Sequence, residues 1–141
     1  VCNMATHDLR DAVARSSEIV DTEVDEMVAV GLTPEASRMV APPRVAESPI
    51  HLECKFYTSL ILPGYDSLNT THVVIGQVVG VNISNDAFTE DGKIDIARLR
   101  PLDRMGYQDY TSVDTVFEIT PQGPMAEAMI SVMGGEAKGR R

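Results

Sequence analysis

Between Ile50 and Leu62 the apolar residues Ile50, Leu52, Cys54, Phe56, Leu60 and Leu62 fall on even positions, with polar His51, Glu53 and Lys55 between the first four. This is the two-residue period of a half-buried strand, so one face is expected to meet a core and the other water. A second run, Val73-Val74-Ile75-Gly76-Gln77-Val78-Val79-Gly80-Val81-Asn82-Ile83, is apolar on both faces at its start, which predicts a central strand rather than an edge. At two-residue spacing Gly76 and Gly80 share one face of that strand, leaving bare backbone that a ligand, a helix or another chain segment can approach. Pro63-Gly64-Tyr65-Asp66-Ser67-Leu68-Asn69 between the two runs is rich in turn formers and is expected to be their exposed connection.

The remaining elements are shorter. Val1 to Ala5 reads as a strand leading into Thr6, an expected helix N-cap with Asp8 in the first turn, and the helix is predicted over 7–17 with a mildly apolar face. A second short helix is expected from a capping-box pattern at Thr22 to Asp25, closed by Gly31 as a left-handed stop, and Thr33-Pro34 would open one further turn. Pro42-Pro43 imposes an extended lead toward Ile50. Ile94 to Arg100 is predicted as a helix stopped by Pro101, and 113–120 as a last strand on the alternation of Thr115-Val116-Phe117-Glu118-Ile119. These spans predict a mainly β, antiparallel architecture with short helices outside it; the principal domain is expected over 1–121 and a partly disordered extension over 122–141.

Length allows one compact domain: 141 residues with 43% hydrophobic content can build one core. A net charge of −9 argues against a nucleic-acid surface and against an anionic membrane surface, both of which call for clustered Lys and Arg. No apolar run approaches a membrane span, and no basic-then-apolar leader opens the chain, so a cytoplasmic location is expected. Cys2 and Cys54 lack paired-thiol or zinc spacing and are expected to be buried and reduced.

The sequence contains no Gly-x-Ser-x-Gly elbow, no phosphate-binding glycine loop, no dinucleotide fingerprint and no His-Glu-x-x-His. No catalytic side chain is therefore assigned. His51 and Glu53, two apart on one strand face, have metal-ligand chemistry but no evident third ligand, and a solvated polar face is the simpler reading. His72 opens the second long strand on the face of Gly76 and Gly80; a lone histidine is more often structural than a ligand contact.

An ordered set of segments carries a resemblance. Pro42-Pro43-Arg44-Val45-Ala46-Glu47-Ser48-Pro49-Ile50-His51-Leu52-Glu53-Cys54, His72-Val73-Val74-Ile75-Gly76-Gln77-Val78, Asp91-Gly92-Lys93-Ile94-Asp95 and Leu99-Arg100-Pro101-Leu102 together resemble the second half of the flavin reductase-like, FMN-binding split-barrel family. The resemblance runs from about Val1 to Pro121 and implies a Greek-key split β-barrel that is incomplete at the N-terminus here. It further implies FMN as cofactor, NAD(P)H as reductant, a homodimer and a flavin-dependent monooxygenase as partner. Hydride would pass from nicotinamide to flavin without a protein nucleophile, which agrees with the empty motif search. The alternatives are an FMN-binding electron-transfer or flavin-carrier module without its own nicotinamide site, or a fragment that binds nothing. By the same resemblance the cofactor-binding candidates are His72, Gly76, Gly106 and Tyr110. Tyr107 stands where relatives tend to carry a second glycine after Gly106, and Glu26 stands near a lysine that holds the FMN phosphate in some relatives.

Overall fold

A computed structural model of the chain describes residues 1–64, 70–119, Gln122 and Met125. Two strands of 14 residues each dominate it: β4 (Ile50–Pro63) and β5 (Thr70–Ile83) pair antiparallel from Ile50 opposite Ile83 to Pro63 opposite Thr70. Their β-branched and aromatic residues suit an extended, pleated backbone, and the expected spans 50–62 and 72–83 agree with them closely. Only the start of their connection, Pro63 and Gly64, lies within the described residues.

On the far side of β4 lies β1 (Cys2–Asn3), which gives the sheet order β1-β4-β5. The central strand is thus β4, while β5, expected in the middle, has β4 as its one strand partner among the described residues. A run that is apolar on both faces demands cover above and below the sheet; it carries no information about which backbone edge is paired. Here neither face of β5 is fully covered, and Val74 is 66% exposed. Val45 and Ala87 are the apolar side chains buried among the described residues.

Two register shifts reorganise the faces of this hairpin. One falls between Glu53 and Cys54, opposite Gly80 and Val78, so Val79 is an extra residue in β5; the other falls between Phe56 and Thr58, with Tyr57 extra in β4. Each bulge reverses the alternation beyond it. Gly76 therefore faces the Cys54 and Phe56 side of the sheet while Gly80 faces the Glu53 side, contrary to the shared face expected from their spacing. Likewise Leu60 and Leu62 part company with the stripe Ile50, Leu52, Cys54 and Phe56.

The polar face of β4 is a second departure. His51 and Glu53 do share a face, but that face is buried rather than solvated, at 5% and 0% exposure. The segment between β2 (Pro34–Glu35) and β3 (Arg44–Val45), which pair antiparallel, folds over it. The Glu53 carboxylate accepts from the backbone N–H of Arg38 (3.0 and 3.1 Å), from Met39 N–H (2.5 Å) and from the Asn82 amide (2.7 Å). These donors, the Arg38 N–H foremost, outweigh burial and lower its pKa to about 2. His51 Nε2 lies 2.8 Å from the Val45 carbonyl, and Asn3 Oδ1 accepts from Val45 N–H at 3.0 Å. The 38–45 segment is thus held to β4 by polar contacts, not by an apolar layer. No group of three metal-ligating side chains occurs among the described residues.

The peripheral elements are short, as expected, but shifted. Thr6 is extended (φ −116°, ψ 165°), makes no side-chain cap and is bridged to Pro101, because the neighbouring backbone is drawn into strand-like bonds: His7 N–H to Arg100 O and Leu102 N–H to Ala5 O, both 2.9 Å. The predicted 7–17 helix is a 3-10 turn (His7–Leu9) followed by α1 (Arg10–Arg15). Helix α2 (Glu26–Ala29) is capped by Asp25, whose carboxylate accepts from Met27 and Val28 N–H, and Gly31 at φ 81° ends it as expected. Thr33-Pro34 opens β2 instead of a helical turn, and α3 (Ile96–Leu99) starts at its Asp95 cap. The last strands among the described residues are β6 (Leu102–Arg104) and β7 (Tyr110–Ser112), a separate antiparallel pair, whereas 113–119 forms no strand. Cys2 is exposed and Cys54 half-buried, and both are free; an edge position on the two-residue β1 denies Cys2 the expected cover. Among the described residues all pairings are antiparallel and the helices short, which makes the molecule mainly β.

Candidate functional site

The β6–β7 hairpin assembles one part of the site. Arg104 and Tyr110 are directly opposed across it, which brings their side chains together: Arg104 Nη1 donates to the Tyr110 hydroxyl at 3.0 Å, and the guanidinium carbon lies 5.2 Å from the ring centroid. A cation over an exposed ring contributes about 0.5–1 kcal/mol. Arg104 Nη2 also donates to the Tyr107 carbonyl at 2.7 Å, so one side chain pins both the loop and its aromatic. Within the loop, Met105 N–H donates to Asp109 O and Asp109 N–H to Gly106 O, each at 3.0 Å. Tyr107 is left-handed (φ 56°), a conformation that favours glycine, and its side chain is 95% exposed.

Beside Tyr110 opens a cleft of about 610 Å³, lined by His7, Arg10, Leu102, Gln108, Tyr110 and Thr111 among others. It falls in the range of small-molecule sites. His7 and Arg10 enter through the turn leading into α1, where three-residue spacing places both on one side; Arg10 Nη1 donates to the His7 carbonyl at 3.0 Å. In the cleft the Tyr110 ring offers stacking and Arg10 a fixed positive charge, with the Asp114 carboxylate also on its wall; Arg104 packs over the ring from outside the lining. Arg10, Arg104 and His7 escaped the reading of the sequence. The i, i+3 polar pair His7 and Arg10 was the signal for two of them; nothing local marked Arg104, whose role arises from its partner across the hairpin.

His72 and Gly76 stand elsewhere, on one face of β5, with His72 opposite Ile61 and Gly76 opposite Phe56. The His72 side is exposed. A Cβ at Gly76 would lie 3.0 Å from Cys54 Cβ, and one at Gly80 2.9 Å from Met39 Cγ. The bare backbone at both positions thus admits side chains of this same chain. Gly106 has open space around it. The structure joins Gly106 to Tyr110 in one hairpin and His72 to Gly76 on one strand, and among the described residues no strand pairing connects the two sets.

No protein-family model matches the chain. An uncharacterized protein of Aquifex aeolicus is 30% identical over 110 residues, covering 78% of this chain and 53% of its own length. The chain spans about half the length of the curated relatives it matches. Among solved structures, nitrilotriacetate monooxygenase component B from Bacillus cereus superposes with a TM-score of 0.74 at 22% identity, over 83% of this chain and 57% of the other. A proposed flavin reductase with a split barrel domain from Shewanella frigidimarina gives 0.71 at 26% identity, over 86% and 59%. Flavoredoxin of Desulfovibrio vulgaris gives 0.67 at 19% identity, over 83% and 60%.

Proposed function

Because the chain shares the split-barrel fold of the flavin reductases, we propose that it is part of a flavin-binding oxidoreductase that takes up FMN and transfers hydride to it from NAD(P)H. The observation that carries the reading is the backbone match over more than four-fifths of the chain to a proposed flavin reductase and to a monooxygenase component. The flavin would supply the redox chemistry, and the work of these residues is to bind, orient and exclude water.

The Tyr110 cleft fits such a group. Its volume accommodates a fused ring, the Tyr110 face not covered by Arg104 is open to stacking, and Arg10 offsets negative charge. Gly106 keeps the approach to the hairpin open. On β5, His72 can donate or accept one hydrogen bond without adding a fixed charge, and Gly76 shares its strand face, where the missing side chain makes room for Cys54. Glu26 opposes a phosphate near α2, so the arginines are the better phosphate partners in this chain.

A flavin-supplying partnership with a monooxygenase is the partner role we propose, supported by the likeness to the first of these neighbours, and a homodimer is the assembly we expect. The second reading, an electron-transfer module without a nicotinamide site, is favoured by the likeness to flavoredoxin. FMN titration by fluorescence quenching, followed by NADH and NADPH oxidation, separates the two. Binding with turnover supports the reductase; binding without turnover selects the carrier, and no binding overturns both. Within the reductase, His72→Ala should lower the rate of FMN reduction more than it weakens FMN affinity, because lost orientation costs turnover first. Tyr110→Ala should weaken FMN binding by about three- to tenfold, the value of one aromatic contact.

A further inference from the structure

A second pocket, of about 390 Å³, lies at the opposite end of the β4–β5 hairpin from His72, where β3 and the end of β5 meet the buried face of β4. Arg38, Arg44, His51, Asn82 and Ser84 line it together with Glu35, whose carboxylate is taken up by Arg44. Two of these side chains are more than nine-tenths buried and each keeps one nitrogen without a hydrogen-bond partner among the described residues: Arg44 Nε and His51 Nδ1. Buried polar atoms normally find partners, so an orphaned pair beside a cavity marks ligand chemistry. Arg44 is not otherwise idle, since its Nη2 pairs with Glu35 Oε1 at 2.9 Å; that bond fixes the guanidinium and leaves Nε–H to offer.

The orphans differ in kind. Arg44 Nε is a donor. His51 Nε2 lies against the Val45 carbonyl at 2.8 Å and must carry the ring proton in the neutral imidazole, which leaves Nδ1 as an acceptor. A carboxylate could satisfy the arginine but has no proton for His51. A phosphate monoanion presents both, charged oxygens toward Arg44 and Arg38 and a P–OH toward Nδ1. The geometry points to a phosphate-binding site here, taking inorganic phosphate or the phosphomonoester of a small molecule.

This pocket shares no lining residue with the Tyr110 cleft and lies far from His72. His51 and Ile61, the partner of His72, are ten residues apart on β4, roughly 33 Å at about 3.3 Å per residue. One FMN with its ring at His72 does not reach across that span, and phosphate binding at His51 is read without flavin, so its failure is distinct from a failure to bind FMN.

The test follows the imidazole nitrogens of His51 by two-bond proton–nitrogen correlation on the full chain, during titration with inorganic phosphate, AMP or acetate. Saturable movement of the Nδ1 signal with phosphate or AMP is expected, with acetate at least tenfold weaker, since a charge-assisted hydrogen bond is worth a factor of about ten or more. Tighter binding of AMP than of phosphate assigns a phosphomonoester; equal or weaker binding assigns free phosphate. Arg44→Lys keeps the charge but removes Nε–H and should weaken phosphate at least tenfold. Should that variant not fold, exposed Arg38→Gln is expected to weaken it about threefold. An unmoved His51 signal in the unaltered chain, or acetate acting as strongly as phosphate, would overturn the inference.

Discussion

At the scale of single residues, the positions that depart from their local rule are the informative ones. Tyr107 occupies a left-handed conformation that costs a non-glycine residue about 1–2 kcal/mol, and its exposed side chain contributes little packing in return. Tyr107→Gly should relieve the strain and recover about 0.5–1 kcal/mol after the added freedom of the unfolded glycine is subtracted, raising Tm by a few degrees. A lowered Tm would mean that the phenol makes contacts essential to the loop. Glu53 departs in another way, as a buried carboxylate whose donors hold its pKa near 2, well below the ordinary 4.5. A depressed folded-state pKa stabilises the fold fully above about pH 4.5, and the contribution is lost as pH falls toward 2. Thermal melts across that window should show a steep loss of stability that Glu53→Gln flattens. Some slope will remain, because the hydrogen bonds Glu47 accepts from Thr33 lower its pKa in the same sense.

Among the elements, the long hairpin and the small one obey different logic. β4 and β5 are held by continuous backbone pairing, and their two bulges decide which residues share a face. Gly80 tolerates the close approach of Met39 because it has no Cβ; Gly80→Ala would place a methyl 2.9 Å from Met39 Cγ. We expect a cost of about 1–3 kcal/mol in denaturant unfolding, the usual penalty of overpacking. Gly106→Ala, with open space around it, is the control that should change stability by less than about 1 kcal/mol. In the β6–β7 hairpin the Arg104 and Tyr110 pair replaces the length that three-residue strands lack.

For the molecule as a whole, the apolar surface is the dominant fact. Phe56 and Tyr57 are each 71% exposed, Ile61 64% and Val74 66%, all on one hairpin. Exposed apolar faces of this extent mark interaction sites. Light scattering should report a dimer or larger species, and Val74→Lys should weaken association at least tenfold, because burying one valine contributes more than about 1.4 kcal/mol. A clean monomer unaffected by the substitution would count against the proposed homodimer.

What the sequence determined by itself is the existence and extent of the two long strands, their antiparallel pairing through a short connection, and the mainly β class. Those follow from alternation and β-propensity, which act between residues close along the chain. The ordered likeness of Pro42–Cys54, 72–78 and 91–102 to split-barrel proteins was legible too, because it depends on residue order and not on contacts. The tertiary structure decided the rest. Whether His51 and Glu53 face water depended on the 38–45 segment folding back over β4, with Glu53 reached by backbone N–H groups 14 and 15 residues away. Whether Gly76 and Gly80 share a face depended on one extra residue at Val79, a matter of cross-strand register that no pattern within β5 records. Polar burial and strand register are set by partners distant in the chain, and only the folded chain brings those partners into contact.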